Sequence, residues 1–205
     1  MVVSIVGGHG QIALALTRLL AVNETEVRSL IRNPDQADAV REVGGEPLVV
    51  DFESASDQEI DEAITGSDAV VFAAGAGPGS SAERKETVDF GAAVRLIEAV
   101  KRTAPAEGNP SRYVMISAVR ADPDYPGDEV FAVYQRAKGR ADAELVASGL
   151  DHLILRPVRL TDEPATSQIS LAREIEGLDS GYVPRADVAA VLAEAIAFHP
   201  EASGT

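Results

Sequence analysis

The sequence predicts an α/β fold in which helices cover both faces of a mostly parallel, doubly wound β-sheet. Two patterns lead to this prediction. Short apolar runs that suit buried strands alternate along the chain with longer segments whose apolar residues recur at helical spacing. No internal repeat, charge block or long linker divides the 205 residues, so we expect residues 1–205 to form one domain.

Six apolar runs are predicted to be the strands of this sheet. Most of them are bounded by glycine, proline or polar residues, which mark turns. In chain order, the strands are expected at Val2–Val6, Glu26–Ile31, Pro47–Val50, Asp68–Ala74, Tyr113–Ser117 and His152–Leu155.

The segments between and after these runs predict helices. The last helix is expected to be capped at its N-terminus by Asp187. From Arg156 to Pro184 no period is clear, and we expect residues 157–185 to form a small substrate-pocket region. The helices are expected at Gln11–Val22, from Asn33 to about Val43, Ser56–Ile64, from about Ala82 to Thr103, Val130–Ser148 and Asp187–Phe198.

Composition and charge argue against several classes of function for this chain. A net charge of −15 argues against sequence-independent nucleic-acid binding, which requires a basic face. With no cysteine and three histidines, we expect no metal site. No basic leader or long apolar stretch predicts export or membrane insertion. We therefore expect a cytoplasmic monomer or homodimer whose partner is a small molecule.

The first βα turn reads Gly7-Gly8-His9-Gly10-Gln11-Ile12-Ala13, a G-x-x-G-x-x-A pattern. Glycine lets the backbone approach a pyrophosphate, and the N–H groups and positive dipole end of the next helix attract it. Ala13 allows the helix to pack closely on the strand. The alternative is a glycine-rich turn without a ligand, but its position after the first strand favours nucleotide binding.

The end of the second predicted strand indicates which nucleotide is bound. Enzymes that prefer NAD usually carry an acid there, whereas this sequence has Arg32 followed by Asn33. We expect Arg32 to bind a 2′-phosphate, and therefore NADP(H) in preference to NAD(H); a solvated surface arginine is the alternative. After the third strand, Asp51 with Phe52 is a candidate for contacting adenine, although Asp51 could equally cap a helix.

A second constellation lies on the helix after strand five. Tyr134 and Lys138 are four residues apart and so share one helix face, where the ammonium is expected to lower the pKa of the phenol. Ser117 ends the preceding strand, where α/β sheets place ligand-binding groups. An exposed pair and an ordinary turn serine are the alternatives.

Taken in order, these motifs resemble the atypical short-chain dehydrogenase/reductases. They are similar above all to the compact NAD(P)H-binding proteins named after NAD-dependent epimerases and dehydratases, or NmrA-like, and the resemblance covers nearly the whole chain. It implies a Rossmann-like domain. The matching residues are Gly7-x-x-Gly10-x-x-Ala13, Arg32-Asn33-Pro34, Asp51, Ala73-Ala74-Gly75, Ser117, Tyr134-x-x-x-Lys138, Arg156-Pro157 and Pro184-Arg185-x-Asp187-Val188-Ala189.

The resemblance also implies roles for individual residues. Ser117 would polarise a substrate carbonyl, Tyr134 would act as acid or base, and Lys138 would bind ribose and tune the tyrosine. Ala73, Ala74 and Gly75 would line the nicotinamide ribose, and Pro157 with Val158 would cover the nicotinamide. The groups expected at the pyrophosphate and 2′-phosphate are Gly7, His9, Gly10, Gln11, Ile12, Arg32 and Asn33.

Two features depart from the family pattern. Asp89 stands where the extended enzymes of this superfamily have asparagine in the proton relay; it could still position a water, but its charge changes the local field. Related proteins also continue from the His199-Pro200 region into a final strand, whereas this sequence stops at Ser203-Gly204-Thr205.

We therefore predict an NADP(H)-dependent oxidoreductase that transfers hydride to a small carbonyl, quinone or similar acceptor. Nucleotide-sugar substrates are too large for a pocket formed by the short substrate region. One alternative is an NADP(H)-binding redox sensor without turnover, which the aspartate at position 89 favours slightly. Another is a flavin or quinone reductase in which the tyrosine is not needed. The retained Ser117, Tyr134 and Lys138 favour the enzyme.

Overall fold

The computed structural model describes residues 1–105, 110–172, 181–197 and 204. Its centre is a six-stranded, fully parallel sheet with strand order β3-β2-β1-β4-β5-β6. The order reverses between β1 and β4, and ligands bind at the carboxyl ends of strands at such a point. The strands are β1 (Val2–Val6), β2 (Glu26–Ile31), β3 (Glu46–Val49), β4 (Ala69–Phe72), β5 (Arg112–Ile116) and β6 (His152–Leu155).

Helices cover both faces of the sheet, as predicted. Between α4 and α5 the chain continues as a π-helical segment (Lys85–Ala92), where a single α-helix was expected. The helices are α1 (Gln11–Val22), α2 (Ala37–Glu42) after a 3₁₀ turn (Pro34–Gln36), α3 (Asp57–Ile64), α4 (Ala82–Arg84), α5 (Ala93–Arg102), α6 (Val130–Ala147) and α7 (Arg185–Ala197).

The alternation of side chains along the strands divides the core into two layers. Val3 and Ile5 of β1 pack with α1 and α7, whereas Val6 faces α3, α5 and α6 on the opposite side. Strands covered on both faces have nearly continuous apolar sequences, which explains why β1 and β4 could be predicted from the sequence. The predicted strands and helices are confirmed, most of them to within one or two residues.

The loosely patterned region after β6 contains a small element that the sequence did not predict. Residues Arg159–Thr161 (β7) and Tyr182–Pro184 (β8) pair in parallel as a two-stranded sheet. Residues 173–180 of the predicted substrate region lie outside the described residues, as does the expected helix end at Phe198. At the far edge of the main sheet, Gly204 exchanges hydrogen bonds with β6, at 2.8 Å from its N to His152 O and 2.8 Å from Ile154 N to its O.

The predicted N-cap role of Asp187 is wrong. Helix α7 begins two residues earlier, and Asp187 is a buried residue of its first turn. Its carboxylate accepts hydrogen bonds from Thr166 Oγ1 at 2.7 Å and from Ser167 N at 3.0 Å. These bonds, those from Thr166 first, lower the pKa of Asp187. The residue therefore ties the loop after β7 to α7.

No helix in the described ranges is long and apolar enough to cross a membrane.

Candidate functional site

A cavity of about 500 Å³ opens at the carboxyl ends of β4 and β5. This is the side of the sheet where the strand order reverses, so the topology itself places a ligand site here. Helix α6, the π-helical segment and the loop after β4 form its walls. Its lining includes Ile12, Ala73, Ala74, Gly75, Lys85, Asp89, Ile116, Ser117, Phe131, Tyr134, Lys138 and Leu160.

The glycine turn after β1 is packed too tightly for side chains. Gly7 has φ of +79°, and a Cβ added there would lie 2.7 Å from the Cα of Ala74. A Cβ on Gly8 would lie 2.5 Å from the Cβ of Ser29 in β2. The pattern therefore reflects close backbone approach at the point where β1, β2 and β4 meet.

The turn delivers the N-terminus of α1 to the same edge without a cap. Gly10 is the N-cap residue, so no side chain accepts a hydrogen bond from the first turn, and that turn contains no acid. The exposed N–H groups and the positive dipole end are thus available to an anion. This arrangement fits the pyrophosphate of a dinucleotide. His9 and Gln11 are exposed beside it, and the side chain of Ile12 reaches the cavity.

Arg32, just after β2, is free to meet a further phosphate. Its side chain is 61% exposed, and its ion-pair contact with Glu53 is long, at 3.9 Å. Glu53 is already bound by Arg84 at 2.8 Å and by Thr87 at 2.7 Å, so Arg32 has no close anionic partner among the residues that the structure describes. The side chain of Asn33 is already engaged in a local hydrogen bond. Its Oδ1 accepts from Asp35 N at 3.0 Å and caps the 3₁₀ turn.

Asp51 and Phe52 follow β3 in a turn. The Asp51 carboxylate accepts from Glu53 N at 3.0 Å and from Ser54 Oγ at 3.1 Å, so it caps this turn. The helix that follows is capped by Ser56 instead. The Phe52 ring is buried in the core beneath α3 and α5. Contact of these two residues with adenine stays a prediction.

The structure brings Tyr134, Lys138 and Asp89 together in the cavity wall. Lys138 is 4% exposed and donates to the carbonyl of Ile116 at 3.1 Å. Its Nζ also lies 3.5 Å from Asp89 Oδ1, and the other oxygen of Asp89 accepts from Ala76 N at 3.2 Å. Asp89 Oδ1 has no hydrogen-bond partner within the described residues. A buried acceptor of this kind fits a ligand hydroxyl or an ordered water.

The predicted lowering of the pKa of Tyr134 by Lys138 is wrong. The pKa of the phenol is raised well above its usual value, first by burial and then by the negative charges of Asp89 and Asp142. Lys138 is paired with Asp89, which largely cancels the effect of its charge. Tyr134 is therefore a protonated phenol at neutral pH.

Ser117 is buried in the cavity wall and donates to Asp142 Oδ2 at 2.8 Å. The same carboxylate oxygen accepts from Arg156 Nε at 2.8 Å. Burial raises the pKa of Asp142, whereas Ser117 and Arg156 lower it. Because the only hydrogen of the Ser117 hydroxyl is given to Asp142, that hydroxyl has no proton left for a substrate carbonyl. The polarising role expected for Ser117 does not match this arrangement.

The remaining predicted residues divide between the cavity and its surroundings. Ala73, Ala74 and Gly75 line the cavity directly after β4. Pro157 and Val158 are half-buried but are not part of the lining; the Pro157 carbonyl accepts from Val119 N at 3.1 Å. Their predicted contact with the nicotinamide stays a prediction. Leu160 of β7 reaches the cavity from the same region.

Sequence reasoning missed two charged residues of this site, Lys85 and Asp142. Both could have been found from helical spacing. Asp142 lies four residues after Lys138, as Lys138 does after Tyr134, and Lys85 lies four residues before Asp89. The π-helical segment that carries Lys85 and Asp89 is itself typical of functional sites.

Comparisons with known protein sequences found a matching family and a related bacterial protein. A family model described as NAD(P)H-binding matches residues 7–199. The uncharacterized sugar epimerase YhfK of Bacillus subtilis is 34% identical over 190 residues, which cover 92% of this chain and 85% of that protein.

Comparison with solved structures shows that the fold is also similar. A Bacillus halodurans protein that bears the name of an NAD-dependent epimerase/dehydratase is 31% identical, with a TM-score of 0.85 and coverage of 98% of this chain and 89% of its own. The oxidoreductase ylbE of Lactococcus lactis is 25% identical, with a TM-score of 0.77 and coverage of 96% and 84%. In each case the similarity spans almost the whole of this chain.

Proposed function

This chain belongs to the NAD(P)H-binding family, and from that premise we propose that it is an NADP(H)-dependent oxidoreductase acting on a small carbonyl, quinone or similar acceptor. The observation that carries the proposal is the cavity in which a protonated phenol, that of Tyr134, stands near the residues expected at the nicotinamide ribose, Ala73 to Gly75.

The residues present fit the cofactor. Gly7, Gly10 and the uncapped start of α1 would hold the pyrophosphate, and Arg32 would bind the 2′-phosphate. Lys138 and Asp89 would meet the nicotinamide ribose in the cavity. When bound, the nicotinamide supplies or accepts the hydride.

Tyr134 would donate the proton. The phenol is protonated at neutral pH and can give its proton to a substrate oxygen that becomes an alkoxide, which is a stronger base than a phenolate, so the arrangement supports reduction of a carbonyl to an alcohol. The phenol of Tyr134 would give its proton to the carbonyl oxygen while the carbonyl carbon takes up the hydride that the cofactor supplies, and the phenolate would later be reprotonated from solvent.

The role left for Ser117 is to accept a hydrogen bond in the cavity wall. Its hydroxyl hydrogen is held by Asp142, whose other close partner is Arg156. The oxygen lone pairs of Ser117 are then available to order the substrate hydroxyl or the phenol.

The test is NADPH consumption by the purified protein against a panel of aldehydes, ketones, quinones and free flavins. We expect Tyr134→Phe to lower turnover by about a hundredfold or more while NADPH affinity is unchanged, because only proton transfer is lost. Tyr182→Phe serves as the matched control, since Tyr182 is an exposed tyrosine of β8 outside the cavity.

Two results would contradict this mechanism. Turnover that survives in Tyr134→Phe would indicate direct hydride transfer to a flavin or quinone. NADPH binding without consumption of any acceptor would favour a redox sensor, in which the buried Lys138–Asp89 pair serves cofactor binding alone.

A further inference from the structure

We propose that the substrate carries a carboxylate group and that Lys85, in the cavity wall, binds it. This inference rests on the proposed function and specifies the class of its substrate: a carbonyl compound with an apolar body and one carboxylate.

The first observation is the burial of Lys85 beside the reacting groups. The residue begins the π-helical segment, lines the cavity and is 7% exposed. Its Nζ donates to the carbonyl of Gly77 at 2.7 Å and lies 5.2 Å from the centre of the Tyr134 ring. An ammonium has three N–H donors, and this carbonyl takes one of them.

The second observation is the charge balance of the cavity. Its charged lining residues are Lys85, Lys138 and Asp89, which leaves one positive charge in excess. Asp89 is matched by Lys138 at 3.5 Å, and Asp142 behind Ser117 is matched by Arg156. No carboxylate of the described residues forms an ion pair with Lys85. A chain with a net charge of −15 thus has a locally cationic pocket.

An ammonium buried without a counter-ion is costly, and one neutral carbonyl with one ring face offsets that cost only in part. A ligand anion bound to the remaining N–H donors would offset the rest. Carboxylate and phosphate both accept charge-assisted hydrogen bonds from an ammonium, and the single charge of a carboxylate matches the one positive charge in excess in the cavity lining.

The rest of the lining fits an apolar body. Ile12, Leu160 and Phe131 face the cavity, and Phe131 is 49% exposed at its mouth. The Phe131 ring lies against Tyr125 and Tyr134, with ring centres 5.9 and 6.2 Å apart. An aromatic or branched aliphatic group could stack here while its carboxylate reaches Lys85.

The experiment compares carbonyl acids with their methyl esters. Pyruvate, phenylglyoxylate and para-carboxybenzaldehyde, each with its methyl ester, are titrated into the protein by calorimetry, with and without saturating NADP⁺. At least one acid is expected to bind about ten- to a hundredfold more tightly than its ester. Lys85→Met should remove that preference and leave ester and NADPH binding unchanged, whereas Lys85→Arg should keep part of it.

Lys101→Met is the matched control, because Lys101 is an exposed lysine on α5 that pairs with Glu98. The proposal is overturned if no acid binds more tightly than its ester, or if Lys85→Met keeps the preference. It is also overturned if Lys85→Met weakens NADPH binding as much as acid binding, which would assign Lys85 to the cofactor. Failure of the wild-type protein to bind NADP⁺ would instead refute the proposed function, since the acid and ester titrations without NADP⁺ report on Lys85 separately.

Discussion

Helices α1 and α3 each follow a strand of the same parallel sheet, but their N-termini are built in opposite ways. Helix α3 starts at Ser56, whose side chain accepts from Glu59 N, while Glu59 accepts from Ser56 N at 2.7 Å. Two acids stand in its first turn. Helix α1 starts at Gly10, with neither a capping side chain nor an acid.

This difference indicates that the N-terminus of α3 stabilises the fold, whereas the N-terminus of α1 is open to a ligand. Both helices have four backbone N–H groups without helical partners at this end, and both have a positive dipole end. The sequence satisfies two of these groups at α3 with a capping box, whose hydrogen bonds from Ser56 lower the pKa of Glu59. At α1 they are left open to an anion from outside the chain.

The largest effect is expected when α1 is given an N-cap side chain of its own. Gly10→Asp should lower NADPH affinity by about a hundredfold or more, since the carboxylate takes the N–H groups and repels the pyrophosphate. The backbone of Gly10 is extended, with φ of −60° and ψ of 150°, so aspartate is tolerated there. Folding stability should be kept. Fluorescence titration with NADPH and thermal unfolding measure the two effects.

Gly10→Ala is the control, because it adds a Cβ, 3.3 Å from Gly7 O, without charge or acceptor. It should weaken binding far less than Gly10→Asp. If Gly10→Asp binds NADPH like the wild-type protein, the pyrophosphate does not lie at α1.

A smaller effect is expected where the phosphate site extends along the sheet edge to Arg32. Arg32→Ala should remove a preference for NADPH over NADH of about ten- to a hundredfold, because a charge-assisted bond to the 2′-phosphate is lost. NADH affinity should not change. Parallel titrations with both cofactors measure this, with the exposed Arg18→Ala on α1 as control. Equal affinities for NADPH and NADH in wild type and variant alike would refute the 2′-phosphate assignment.

The smallest effect concerns the capped helix. Ser56→Ala should lower the free energy of unfolding by about 1 kcal/mol and the Tm by about 2–4 °C, as loss of an N-cap usually does. NADPH affinity should stay at the wild-type value. A loss of NADPH binding in this variant comparable to that of Gly10→Asp would contradict the division between a structural and a ligand-binding helix end.

Most of the fold was predictable because it depends on local patterns. The apolar run of β1, the glycine turn and the apolar spacing of α1 each lie within a few neighbouring residues, and β1 and α1 were confirmed to the residue. The small sheet of β7 and β8 was missed, because its strands are short and pair across some twenty residues of chain. Asp187 was misplaced for a similar reason, since its partners Thr166 and Ser167 lie far back in the sequence.

The sequence by itself determined the doubly wound sheet, the open start of α1 and the position of Tyr134 and Lys138 on one helix face. Periodicity and glycine chemistry act between near neighbours and can be read without a structure. Only the tertiary structure decided the electrostatics of the cavity. Asp89 pairs with Lys138, and Asp142 accepts the hydrogen bond of Ser117. Within the described part of the chain, Lys85 has no anionic partner. These outcomes depend on burial and on distances between separate elements, which local pattern does not encode.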